Sequence, residues 1–336
     1  MEACHSPQQS NVTSYGATTV AIVTLEAFAG MWINAFIVCV LCLAWVKKKT
    51  LNSNEKILLL LGYTRISYLC LLWIYHFLLI IHPTFLYVPP IFKLISSFTT
   101  FFNHSNLWVS ACLCGFYCIK IANFRNRFFI YLKVKIDRMV PWILLGSGIL
   151  ALSTSIIMVP WILLGSGILA LSTSIIIYDL TESLQSNNLT FSCLDNIWEA
   201  SFRENKQFFP SFFLTGFGYA ASFTAIIFSA VFLLFSLWTH KRKMQKNSMK
   251  DLSMDAHIRA MKSILSFLVM YSINFVCLVL TIIYAMKNEN IMRLLISIYL
   301  CAFPGVHSLI LIFSNPKLEK ALLKILSWLK CDFSMK

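Results

Sequence analysis

Arg65 is the residue whose position costs most. It lies eight residues inside the apolar run Ile57–Ile81, about 12 Å deep at about 1.5 Å per helical residue. A guanidinium at that depth in hydrocarbon requires polar partners or water. Glu26 is the only acid inside the upper part of an apolar run. Other hydrogen-bonding side chains are set singly in such runs, among them Asn34, His76, Asn274, His307 and Ser308. Trp108 adds a flat apolar face with one N–H donor, suited to varied small molecules. These groups can bind and switch, but they do not assemble a reaction centre. No HExxH, GxSxG or paired-acid pattern is present, and the eleven cysteines show no CxxC or Cys/His metal spacing. An enzyme is therefore not expected, nor a metal or cofactor. A transporter should carry intramembrane carboxylates, paired charges or repeats with broken helices; here Glu26 and Arg65 are the main intramembrane charges, and the one exact repeat, at 139–157 and 158–176, is too local to be a transporter half.

The elements that hold these residues are membrane helices. Of the 336 residues, 58% are apolar and only 12% charged, where a soluble chain carries about 25% charged. Apolar runs long enough to cross about 30 Å of hydrocarbon are Ala17–Val46, Ile57–Ile81, Ile91–Ile119, Met139–Tyr178, Phe208–Thr239, Ser263–Met286 and Ile291–Phe313. The expected fold is an all-α bundle of seven transmembrane helices over residues 1–314, followed by a cytoplasmic amphipathic tail over 315–336. In that tail Asn315 can cap a helix, and Leu318, Leu322, Ile325 and Leu329 form one stripe, an interfacial helix against membrane lipid. Cys331 is a candidate palmitoylation site.

Charge sets the orientation. The first, third and fifth connectors and the tail carry four, six, seven and five basic residues, 22 of the 28 Lys and Arg. By the positive-inside rule that side is cytoplasmic and the N-terminus extracellular. The net charge of +14 is thus accounted for by the membrane, without nucleic acid. The sequons at Asn11 and Asn188 then fall outside, as glycosylation requires.

The fourth run is anomalous. Met139–Ile157 reads MVPWILLGSGILALSTSII, and Met158–Ile176 repeats it without a change or a gap. Thirty-eight helical residues would extend about 57 Å, nearly twice the hydrocarbon core. The junction has little turn chemistry, and an eighth crossing would put the later basic connectors outside. One copy is therefore expected to span and the other to be displaced. The first copy directly follows the basic connector and is favoured as the span, with Pro160 a kink in the second. A recent duplication or an error of sequence assembly would both leave such an identity.

Local motifs then point to a family. The third run and its exit read NHSNLWVSACLCGFYCIKIANF, the seventh reads FPGVHSLILIFSNPKL, the fifth exit SLWTHKRKM and the sixth entry DLSMDAHIRAMKSILSFL. Together with Glu26, Gly30, Asn34 and Arg65, these resemble the bitter-taste receptors, the taste receptor type 2 family. Phe303, Lys241 and Leu252 replace the family's usual Tyr, Thr and Pro. The resemblance covers the chain except for the second copy of the repeat. Vomeronasal type 1-like receptors share the length and basic inner face, but the KIANF and HSLILIFSN segments favour the taste family.

The resemblance implies a G-protein-coupled receptor for bitter small molecules, with a gustducin-like heterotrimeric G protein as partner. It places Asn34, Arg65, His307 and Ser308 near one another as a polar cluster able to act as a switch, where a positive charge leaves no place for sodium. It makes Trp108 a ligand-contacting aromatic, with Cys112 one turn below on the same face, and Tyr75, His76 and Asn274 further pocket positions. Ser297 stands where some relatives carry an acid for cationic ligands, and Glu26 is a second candidate facing the pocket. On the inner side the motif positions Tyr117, Lys120, His240, His257 and Lys262 are expected to face the G protein.

Overall fold

The computed structural model describes residues 8–81, 89–121, 127, 129–153, 155, 209–246, 251–285 and 290–334, and the described secondary structure is helical throughout. Eight helices are described: α1 Gln8–Lys48, α2 Ser53–Ile81, α3 Pro89–Ile121, α4 Phe129–Ser153, α5 Phe209–Lys246, α6 Asp251–Ala285, α7 Asn290–Ser314 and α8 Pro316–Ser334. Consecutive neighbours α1, α2, α3, α5, α6 and α7 pack into a ring that α7 closes back onto α1. Ile136 and Val140 join α4 to the main core, and Ser155 Oγ donates to Ser97 O of α3 at 2.8 Å.

Large apolar side chains point away from the bundle. Trp32 is 76% exposed and Trp142 74%, as expected where the surrounding solvent is lipid. By length and apolarity alone, six of the described helices can cross a membrane: α1, α2, α4, α5, α6 and α7. The seventh crossing, α3, is less apolar because it carries Asn103, His104, Ser105, Asn106 and Ser110. Its run His104–Leu107 is buried at every position, so the polarity is spent inside the protein.

The fourth helix differs from the expected span. It is already helical at Phe129, ten residues before the first repeat copy, so much of the third basic connector is helix. The pattern explains this: Ile136 and Val140 are buried while Lys135 and Arg138 are exposed, giving one face to the bundle and one to water. Met139–Ser153 of the first copy belong to this helix. The second copy, Met158–Ile176, lies outside the described residues.

Two local features fix the bundle. At the α1–α7 crossing, Gly30 and Gly305 face each other, and a Cβ on Gly305 would lie 3.1 Å from the Gly30 Cα. Small residues let the two backbones meet this closely. Pro304 sits inside α7, where it removes one rung of the helix ladder. Where α7 gives way to α8, Lys317 N donates to Asn315 Oδ1 at 3.0 Å, so Asn315 caps α8. Glu55 Oε2 accepts from Asn52 N at 3.0 Å, half of a capping box for α2, while Glu55 Oε1 pairs with Lys317. Leu318 of α8 is fully buried; Leu323, Leu326 and Trp328 are exposed.

Candidate functional site

The four polar residues set apart by their place in apolar runs meet in the structure. Arg65 is fully buried, and each nitrogen of its fork is engaged. Nε donates to Asn106 Oδ1 of α3 at 3.0 Å, Nη1 to Ser308 Oγ of α7 at 2.6 Å, and Nη2 to His307 Nδ1. Ser308 Oγ in turn donates to Asn34 Oδ1 of α1 at 2.7 Å, and Asn34 Nδ2 donates to Gly30 O at 2.8 Å. The result is a continuous relay from α3 through α2 and α7 to α1. With Nδ1 accepting from Arg65, the His307 proton is on Nε2, an atom buried without a hydrogen-bond partner among the described residues. Tyr271 of α6 brings its hydroxyl to 3.4 Å from Nδ1 and sets its ring edge-on to the imidazole at 5.0 Å. Asn106 and Tyr271 were not singled out by sequence. A run of polar residues at Asn103–Asn106 in an otherwise apolar helix was the available signal for the first.

Outward of this network, Asn103 Nδ2 donates to Tyr219 Oη of α5 at 2.9 Å, and His104 stacks on the Tyr219 ring at 4.9 Å. His104 Nε2 and Thr99 Oγ1 are buried without a hydrogen-bond partner among the described residues. Asn274 is buried one turn outward of Tyr271 on α6, and Ser297 is half-buried on α7. Tyr75 and His76 are half-buried near the outer end of α2, their rings edge-on at 5.4 Å, with His76 Nδ1 donating to Leu72 O at 2.8 Å. Glu26 is half-buried on α1, one turn before Gly30, and its Oε2 is buried without a hydrogen-bond partner among the described residues.

Trp108 and Cys112 share one face of α3, one turn apart, as their spacing sets. Asn106 faces Arg65, and two residues further along a helix is a rotation of about 200°. Trp108 therefore sits on the far side of α3 from the network, half-buried against the main core. Cys112 lines an apolar crevice of about 100 Å³ between α2, α3 and α4, with Ile57, Gly115, Ile136, Val140 and Leu144. Cys112 thus faces α4.

On the inner side Tyr117 is half-buried and packs against the core rather than standing free. Lys120 Nζ pairs with Asp137 Oδ2 at 2.6 Å, and Ser53 Oγ donates to Asp137 O at 3.5 Å. His240 lies in α5, and His257 and Lys262 lie in α6; their side chains fall outside the described ones, as does that of Asn11 in α1. Asn188 and the Cys331 side chain are likewise outside.

Six membrane helices closed into a ring around a buried polar relay, with α4 joined to their core and an eighth capped helix following α7, define a seven-helix membrane receptor. The chain matches the taste receptor protein (TAS2R) family over residues 12–159 and again over 156–330, the two matches meeting at the junction of the repeat copies. It is 31% identical over 313 residues to taste receptor type 2 member 7 of Macaca mulatta, covering 92% of each chain. It is 30% identical over 318 residues to taste receptor type 2 member 9 of Homo sapiens, covering 94% of this chain and 95% of that one. The chain belongs to the TAS2R family, the bitter taste receptors, which are multi-pass G-protein-coupled receptors for bitter compounds and not enzymes.

Proposed function

We propose that bitter agonists enter the bundle from the extracellular side and bind outward of the Arg65 relay. The wall of that pocket is the α3 face bearing Thr99 and Asn103, with Tyr219 of α5 and Asn274 of α6. The observation that carries this reading is the Asn103–Tyr219 hydrogen bond at 2.9 Å, one turn outward of the Asn106–Arg65 bond on the same face of α3. A ligand that competes for Asn103 acts on the helix that holds the guanidinium. The buried, unpaired Thr99 Oγ1 supplies a further polar group for a ligand. Tyr75, His76, Ser297 and Glu26 are outer positions of the same cavity in this reading. The N-terminus is extracellular, the receptor resides in the plasma membrane, Asn11 and Asn188 are available for glycosylation, and the basic inner face with Tyr117, Lys120, His240, His257 and Lys262 receives a gustducin-like G protein.

Asn103→Leu removes both amide groups at similar volume. It is expected to lower agonist potency about tenfold, the worth of one buried hydrogen bond, with surface expression held. Trp108→Ala is expected to change potency less, because Trp108 turns away from the relay. Calcium-release concentration curves in transfected cells decide between them. If Trp108→Ala abolishes responses while Asn103→Leu leaves them intact, the pocket is on the other stripe.

One copy of the repeat is surplus in this reading, since α4 needs about twenty residues to cross and the family match breaks where the copies join. Deleting Met158–Ile176 is expected to leave an N-terminal tag reachable by antibody on intact cells, to equal or raise surface expression, and to preserve the calcium response. A deletion that misfolds while the full chain signals would make the second copy a structural part of the receptor.

A further inference from the structure

The crevice between α2, α3 and α4 plays no part in the proposed mechanism. It is apolar along its length, from Ile57 and Ile136 to Leu144, and Ile143 at its edge is 36% exposed. It is open by composition: a Cβ on Gly115 would meet nothing within 4 Å. Its cytoplasmic end is polar. The Lys120–Asp137 pair, next in sequence to the lining residues Ile119 and Ile136, borders it there, as does the Ser53–Asp137 contact. Exposed Lys56 adjoins Ile57, and exposed Lys133 lies one turn below Ile136 on the same face of α4. Among the described residues, Lys56, Lys120 and Lys133 thus lie at or beside this mouth with the Asp137 carboxylate.

Apolar fit alone selects nothing in a bilayer, because lipid tails are as apolar as the protein. Selectivity must come from the mouth, where clustered basic residues attract anionic headgroups. We propose that this crevice is a binding site for one acyl chain of an anionic inner-leaflet phospholipid, whose headgroup is held by Lys56, Lys120 and Lys133. A crevice of about 100 Å³ takes a stretch of one chain and not a fused ring system. The assignment to the inner leaflet rests on the orientation proposed above.

The test uses the full-length receptor in phosphatidylcholine nanodiscs doped with a chain-diazirine phosphatidylserine, compared with the same chain on phosphatidylcholine. After photolysis, the serine probe is expected to label the peptides that line the crevice about fivefold more than the choline probe. Gly115→Leu, which fills the space, is expected to reduce that labelling about fivefold, and Lys56→Gln with Lys133→Gln to bring it to the choline level. Equal labelling by both probes overturns the proposal. So does labelling that Gly115→Leu leaves unchanged, or labelling that cholesterol displaces while the lysine variants leave it unchanged. If Gly115→Leu does not fold, the two exposed lysine substitutions carry the test alone. Nanodiscs present the probe to both faces, so this result stands apart from the orientation, which is read by antibody access to the N-terminal tag on intact cells.

Discussion

Arg65→Met is expected to bring the receptor at the cell surface close to background and to abolish the calcium response. Two effects oppose each other. Removing a fully buried cation relieves its desolvation cost. It also leaves Asn106 Oδ1 and His307 Nδ1 without their donor and Ser308 Oγ with one bond fewer, at about 1–3 kcal/mol for each unsatisfied buried group. Methionine fills much of the volume but none of those bonds, so the second effect wins. Two further substitutions serve as the control. Adding Asn106→Leu and His307→Phe removes the stranded acceptors, and that triple variant should regain surface expression while remaining silent. A single Arg65→Met receptor with normal surface level and normal response would show that the relay is dispensable. Arg65→Lys should fall between, because one ammonium cannot reproduce the planar fork that reaches α3 and α7 together.

Gly305→Val should be nearly as damaging by a purely steric route. A Cβ at Gly305 already lies 3.1 Å from the Gly30 Cα, and the neighbour is backbone, which cannot rotate away. The two further methyl groups of valine must push α1 from α7. Overpacking of this kind costs about 1–3 kcal/mol or more. The damage is also directional. Asn34 lies one turn beyond Gly30 and Ser308 one turn beyond Gly305 along their helices, so separating the helices pulls on their 2.7 Å hydrogen bond. Surface expression measured by flow cytometry is expected to fall about tenfold, with Gly305→Ala much milder. Full expression and signalling of the valine variant would mean that the crossing is looser than its geometry.

How much of this was legible in the sequence depends on the kind of signal. Arg65 was legible because a charge in an apolar run is rare and costly, and its partners Asn34, His307 and Ser308 because of the motifs around them. The α8 cap was legible because Asn315-Pro316 is a local pattern that needs no tertiary information. Asn106 and Tyr271 were not, since a polar residue or a tyrosine in a span carries no mark of which way its helix is rotated. That rotation also decided Trp108 and Cys112. Their spacing placed them on one face, which the structure keeps; only the long-range Arg65–Asn106 contact fixes which face looks inward. Extending α4 back to Phe129 was hidden by the basic residues, which count as loop in a hydropathy reading and as the wet side of a helix in the folded chain.

Glu55 uses one carboxylate for two tasks, holding the start of α2 with one oxygen and Lys317 of α8 with the other. The division between bundle and tail is therefore no hinge. A load applied along α8, from the bilayer or from a bound protein, is delivered to the first cytoplasmic turn as a torque on α2, the helix that carries Arg65. Position 317 is then a lever arm: a reporter fused beyond Ser334 should feel strain in the polar relay, while one placed in the α5–α6 connector should not.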